Sequence, residues 1–253
     1  MNPKRKAWFK AYAGLLKATK KKSHFVYLGE EFRPGSLILS NHVGTAGPLS
    51  FELFLDKPTR FWGAHEMNST LGSMYKYQSE VFYHQKRGWN LFGARLFCLL
   101  ASPLTWLFYR GLNLISTYKD MRLSHTLRES LETLQEGTSI VIFPEVSDKG
   151  YLDVLEDFHG GFALLLAFCK RHGLDVPIYV TYYNKENQAH VVDRPILYSE
   201  LLKTYQTREE QCAYLCARCN LMGEISRSLG ADYTLPEKSS DPSPAALSGA
   251  ESL

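Results

Sequence analysis

From Phe25 onward the chain alternates short apolar runs with longer stretches in which apolar residues return every three or four positions. The runs FVYL (25–28), SLILS (36–40), RFWGA (60–64), LNLIS (112–116), SIVIF (139–143) and VPIYVTYY (176–183) are short and rich in β-branched and aromatic side chains, the pattern of strands. AHVVDRPI (189–196) reads as a late or edge strand. Between the runs, MRLSHTLRESLETLQEG carries Leu123, Leu127, Leu131 and Leu134 on one helical face and stops at Gly137, which predicts an amphipathic helix with a glycine C-terminus. GGFALLLAFCKRHG (160–173) reads as a buried helix opening after two glycines. Strand and helix alternating in this way predict an α/β fold, a single domain with a largely parallel central sheet flanked by helices. A length of 253 residues suits one such domain better than two.

Two segments stand outside the alternation. AWFKAYAGLL (7–16) sets Trp8, Phe9, Tyr12, Leu15 and Leu16 at helical spacing among lysines, an amphipathic N-terminal helix with a cationic face. It fits two roles, lying in an anionic membrane surface or lying on the domain as its first helix. LFGARLFCLLASPLTWLFY (91–109) is the most apolar stretch in the chain. Arg95 and Pro103 interrupt it, so a buried helix or an interfacial hairpin is expected rather than a bilayer span. The expected organisation is therefore a basic amphipathic helix over 1–24, separable from the fold, an α/β domain over 25–235, and a Pro- and Ser-rich disordered tail over 236–253.

Charge sharpens the first of these. Lys4, Arg5, Lys6, Lys10, Lys17, Lys20, Lys21 and Lys22 all precede the first acidic residue, Glu30. Without these eight positives the net charge of +3 becomes −5, so the basic character belongs to one arm, whose charge suits a membrane surface or nucleic acid; with the amphipathic helix inside it, a membrane surface and no nucleic acid is the expected partner. Five cysteines show no paired zinc spacing and read as free core thiols of a reducing cytoplasm, so neither metal nor cofactor is expected. Lys10 and Lys17 break any apolar signal core, which leaves a cytoplasmic protein peripheral to the inner face of the membrane as the expected location.

The candidate chemistry lies in SNHVGTAGP (40–48), which follows the strand SLIL and places His42 beside Asn41 at the start of a small-residue turn. The C-terminal end of a strand is where open α/β sheets bind their ligands. A second strand, SIVIFPE, ends in Phe143, Pro144 and Glu145. NHVGTAG, RGLNLIS, IFPEVSDKG with the downstream FHGG, and VPIYV resemble, in order and approximate spacing, the four sequence blocks of the glycerophospholipid (lysophosphatidate-type, 1-acylglycerol-3-phosphate) acyltransferase family. The resemblance covers about residues 25–198 and implies an O-acyltransferase that moves a fatty acyl group from acyl-CoA or acyl carrier protein to a hydroxyl of a lipid or glycerol-type acceptor. It implies that His42 is the general base, a role worth roughly 10²–10⁴-fold in rate. It also implies that Asn41, Phe143, Pro144, Glu145 and Thr117 belong to the acceptor side of the site. Pro177 matches the proline of the fourth block and reads as structural.

The chain departs from that pattern at three places. The family's block has an aspartate five residues after the histidine, where it orients the imidazole; here that residue is Gly47. The arginine of the second block falls at Thr117 and that of the third at Asp148, which argues against a phosphomonoester acceptor because neither residue reproduces a bidentate guanidinium contact. Glu52, Asp56 or Glu145 stand as replacements for the carboxylate, and Lys119, Lys149, Arg110 or Arg122 for the cations. The alternative function is a catalytically inactive protein of the same fold that binds lipid or acyl thioester. A serine hydrolase lacks its G-x-S-x-G elbow here, and a nucleotide site lacks its glycine loop.

Overall fold

The computed structural model describes residues 5–68, 70–118, 120–146 and 152–229. The expected tail over 236–253 lies outside them, as do Lys119, Asp148 and Lys149. The apolar runs become eight strands: β1 (His24–Tyr27), β2 (Leu37–Ser40), β3 (Thr59–Ala64), β4 (Ile115–Thr117), β5 (Ser139–Ile142), β6 (Pro177–Asn184), β7 (Ala189–Val192) and β8 (Ile196–Leu197). They form one sheet in the order β1-β7-β6-β2-β5-β3-β4, with β8 beside β6. Five neighbours, β6-β2-β5-β3-β4, run parallel. β7 and β8 return antiparallel on β6, and β1 runs alongside β7. The run 189–196 divides into two strands because the chain turns at Asp193–Pro195, where Arg218 grips the Asp193 carboxylate at 2.6 Å and proline offers no ladder donor.

The central strands are apolar at every position because both faces of the sheet are covered. Leu37, Leu39, Ile140, Ile142, Ile178 and Val180 point into one core, whereas Ile38, Val141 and Tyr179 point into the other. Successive strand side chains alternate in direction, so each run serves two cores at once. The first core is closed by α5 (Leu123–Gln135), α6 (Gly161–Arg171), α7 (Tyr198–Thr204) and α8 (Arg208–Ser228), the last opened by a reciprocal cap between Thr207 and Glu210. The second is closed by α1 (Ala7–Ala18) and α2 (Ala46–Phe54).

The N-terminal segment is not a detachable arm. Phe9 and Ala13 are wholly buried, and Phe9 lies so close to Gly111 that a Cβ there would come within 1.8 Å of its ring. Arg5, counted among the cations of the basic arm, is buried as well: its guanidinium forks onto the Glu52 carboxylate at 3.0 and 2.7 Å and donates to the Thr59 carbonyl at 3.1 Å. Phe9, with the half-buried Tyr12 and Leu16, thus belongs to the core, while Trp8 and Leu15 of the same helix stay exposed, and Lys17 lies half-buried with its ammonium 5.3 Å over the Phe54 ring.

Between β3 and β4 lie a 3₁₀ turn (His65–Asn68), α3 (Leu71–Lys76), a π-helical stretch (Tyr77–Lys86) and α4 (Leu91–Leu112). α4 continues through both Arg95 and Pro103 as one 22-residue helix, long and apolar enough by length and composition to cross a membrane. Only its inner side, with Ala94, Cys98 and Ser102, is buried, against α3 and the π-helical stretch.

Candidate active site

Three parallel strands deliver the expected residues to one edge of the sheet: β2 leads into Asn41 and His42, β5 into Phe143–Glu145, and β4 ends at Thr117; β3, between β5 and β4, leads into His65, which the sequence did not single out. Asn41 continues β2 with its side chain. Its Oδ1 accepts the Tyr183 N–H at 2.7 Å and its Nδ2 donates to the Tyr183 carbonyl at 3.1 Å, so a buried amide imitates a strand backbone and seals β2 to β6. The next residue, His42, is freed from the sheet. Its turn into α2 is tight, with Val43 at φ 41° and Gly44 at φ 61°. A β-branched residue in the left-handed region is strained, and such strain persists where surrounding contacts overrule it.

His42 is half-buried, its ring set edge-on to Phe143 with centroids 5.1 Å apart. Its backbone N–H donates to Glu145 Oε2 at 3.0 Å, and the other carboxylate oxygen accepts the Leu152 N–H at 3.1 Å. Glu145 therefore ties the histidine turn to the strap of irregular chain that includes Leu152, and it also pairs with Phe158 across an isolated antiparallel bridge. Burial pushes its carboxyl above the usual range, while the two N–H donors pull it back. Pro144 holds the same strap by accepting the His159 N–H at 2.6 Å. The structure thus gathers His42, Phe143, Pro144 and Glu145 around one point, with Asn41 behind it as a structural support.

Thr117 is not gathered there. It sits on the edge strand, donating its hydroxyl to the Gly63 carbonyl at 3.0 Å, and three inter-strand spacings put β4 about 14 Å across the sheet from β2. Pro177 is the first residue of β6, an interior strand, opposite Leu197 of β8 and one position before the pairing with β2 begins at Ile178, where a missing N–H costs the ladder least.

The carboxylates weighed as replacements at Gly47 are placed as follows. Glu52 is bound to Arg5, Asp56 is exposed beyond the end of α2, and both oxygens of Glu145 accept backbone N–H groups. Gly47 itself is pressed against the histidine turn: a Cβ there would stand 2.7 Å from the His42 carbonyl oxygen. Of the cations, Arg122 is forked onto Asp120 with its guanidinium 4.4 Å over the Tyr118 ring, and Arg110 lies over Trp106 at 4.6 Å. The five cysteines are buried and free, with those at 169, 212 and 216 pushed up to about 11 by burial, far from a reactive thiolate. Among the described residues no group of three or more His, Cys, Asp or Glu is placed to hold a metal ion.

Sequence reasoning missed a polar cluster behind this edge. His190 on β7 is fully buried, stacked on Phe25 at 4.5 Å and Tyr183 at 4.4 Å, and shares a 2.7 Å hydrogen bond with Ser50 of α2. Burial holds its pKa well below the ordinary imidazole value, so it is a neutral fixture between α2 and the sheet. The only signal in the sequence was a lone histidine inside an apolar run.

No family model matches the chain, and no curated protein matches it significantly. Among solved structures it is similar to the 1-acyl-sn-glycerophosphate (LPA) acyltransferase PlsC from Thermotoga maritima, with 14% sequence identity, a TM-score of 0.44, and 86% of this chain and 78% of that chain covered. A likeness of that extent assigns no activity to this chain.

Proposed function

We propose that this protein is an O-acyltransferase that moves a fatty acyl group from acyl-CoA or acyl carrier protein to a hydroxyl of a lipid or glycerol-type acceptor, working in the cytoplasm against the inner face of a membrane. The observation that carries this reading is His42, half-buried at the C-terminal edge of a parallel sheet and tied through its own N–H to Glu145 on the neighbouring strand. In the reaction the imidazole takes the acceptor's hydroxyl proton as the oxygen attacks the thioester carbonyl. The carbon–sulfur bond then breaks, and the departing thiolate recovers the proton from the imidazolium. Glu145 serves as a positioning residue, because both of its oxygens are engaged by backbone donors. Phe143 walls one side of the imidazole. With a threonine at 117 turned to the sheet and an acid at 148, the acceptor is one without a phosphomonoester.

A second reading, a silent protein of this fold that binds lipid or acyl thioester, is favoured by Gly47 and by the engagement of Glu52 with Arg5. One assay separates the two. Purified protein is mixed with acyl-CoA and a panel of alcohols while free thiol is followed. Release that depends on the alcohol and disappears in His42→Ala supports the transferase, whereas the same background in both proteins supports the binder.

A further inference from the structure

We infer that α4 is a monotopic membrane anchor, an in-plane helix that presses its outer face into an anionic lipid surface, and that the contact surface is this internal helix rather than the aromatic face of α1. Phe92, Leu96, Leu99, Leu100, Leu104 and Leu107 recur at steps of three and four along α4 and all point outward, with Phe92 and Leu100 each 80% exposed. Together they leave several hundred Å² of contiguous apolar surface in water, at or above the largest patch an ordinary monomer tolerates. The stripe is framed as a bilayer boundary demands. Trp89 precedes its first turn and is exposed, Trp106 lies in its last turns beneath Arg110, and α1 crosses its far end at Gly111 with Trp8 exposed. The lysines of α1 and the exposed Lys20, Lys21 and Lys22 that follow it supply the positive charge that anionic headgroups attract. The same cations repel a second copy laid symmetrically on the stripe, so a lipid surface is the better occupant.

The helix is long enough to cross a bilayer, yet the sheet forbids a single crossing. β3 enters the helical insertion and β4 leaves it, and the two are hydrogen-bonded neighbours, with Trp62 opposite Ile115. Among the described residues α4 alone has the length and hydropathy to span, so one passage would put paired strands on opposite sides of the membrane. The inner face agrees: Gln78 of the π-helical stretch accepts a 2.7 Å hydrogen bond from Ser102 of α4, a buried polar contact that fixes this face to protein. Lying flat satisfies both constraints.

The test uses the full-length chain and vesicles of phosphatidylcholine with or without phosphatidylglycerol. Co-sedimentation with the mixed vesicles is expected, reduced by about tenfold or more in a Phe92→Glu, Leu100→Glu double variant that alters only exposed positions. A fluorophore on Leu100→Cys is expected to shift to the blue on vesicles and to be quenched by lipid-borne quencher, while the same label on Met121→Cys, exposed elsewhere, stays unchanged. Absence of vesicle binding, unaltered binding by the double variant, or a label at 100 that stays in water would each overturn the assignment. So would a wild-type dimer in sedimentation velocity that the double variant converts to monomer. Membrane docking through α4 does not depend on the chemistry at His42, and thiol release from a short-chain acyl-CoA in solution, followed in the same preparations, reports the latter independently.

Discussion

The contact between Gly47 and the His42 carbonyl explains why an acid cannot simply be put back where the resembling family has one. An aspartate at 47 forces its Cβ against that oxygen, so Gly47→Asp is expected to destabilise the protein by about 1–3 kcal/mol and to lower rather than raise thiol release. Urea unfolding and the acyl-transfer assay check the two halves of that outcome. Glu145 makes a similar point through hydrogen bonds. In Glu145→Gln one terminal atom becomes a donor and faces a backbone donor, so one of the two N–H groups at His42 and Leu152 loses its acceptor. A cost of about 1–3 kcal/mol in stability follows, together with a fall in kcat greater than any change in KM for the thioester, since it is the histidine turn that loosens. Asn41 is the instructive counterexample at this scale: its type and place beside the histidine were legible, but its bond to Tyr183 was not, because the partner lies 142 residues away.

Helices and strands announced themselves to the degree that their environment is simple. The parallel strands are apolar on both faces and bounded by turns, so they were readable one by one, and α5 was readable from its leucine stripe and closing Gly137. α1 and α4 were not resolvable, because an apolar helical face looks the same whether it meets protein or lipid. Only tertiary contact distinguishes the buried Phe9 from the exposed Phe92. The attachment of α1 has a measurable consequence. Arg5→Ala leaves the Glu52 carboxylate buried without its cation, which is expected to cost about 3–5 kcal/mol, and the double change Arg5→Met with Glu52→Leu should recover most of it. Equal unfolding midpoints for the wild type and Arg5→Ala would show that this ion pair does not hold the helix. Deleting residues 1–22 is likewise expected to unfold the domain rather than merely release it from a surface, because Phe9 and Ala13 leave the second core with it.

At the scale of the whole molecule, pH acts through the buried cluster around His190. Above the usual imidazole range this side chain is neutral in both folded and unfolded chains and contributes no slope. Below that range the unfolded chain binds a proton that the folded one, with a depressed pKa, refuses, so stability falls by up to about 1.4 kcal/mol per pH unit as the solution is acidified. A urea midpoint that declines between about pH 6.5 and 5, with a shallower decline in His190→Gln, is the expected record. The register of the sheet also sets an order of assembly on the ribosome. β2 finds its two neighbours only when Ile140 and Ile178 have been made, and β1 waits for Ala189 to meet His24. At ordinary translation speeds that delay is on the order of ten seconds. For that interval the nascent N-terminal third carries unpaired apolar strands that its own α1 and α2 can cover on one face only, which makes it a natural client for a holdase and a point at which slowed synthesis would raise the fraction lost to aggregation.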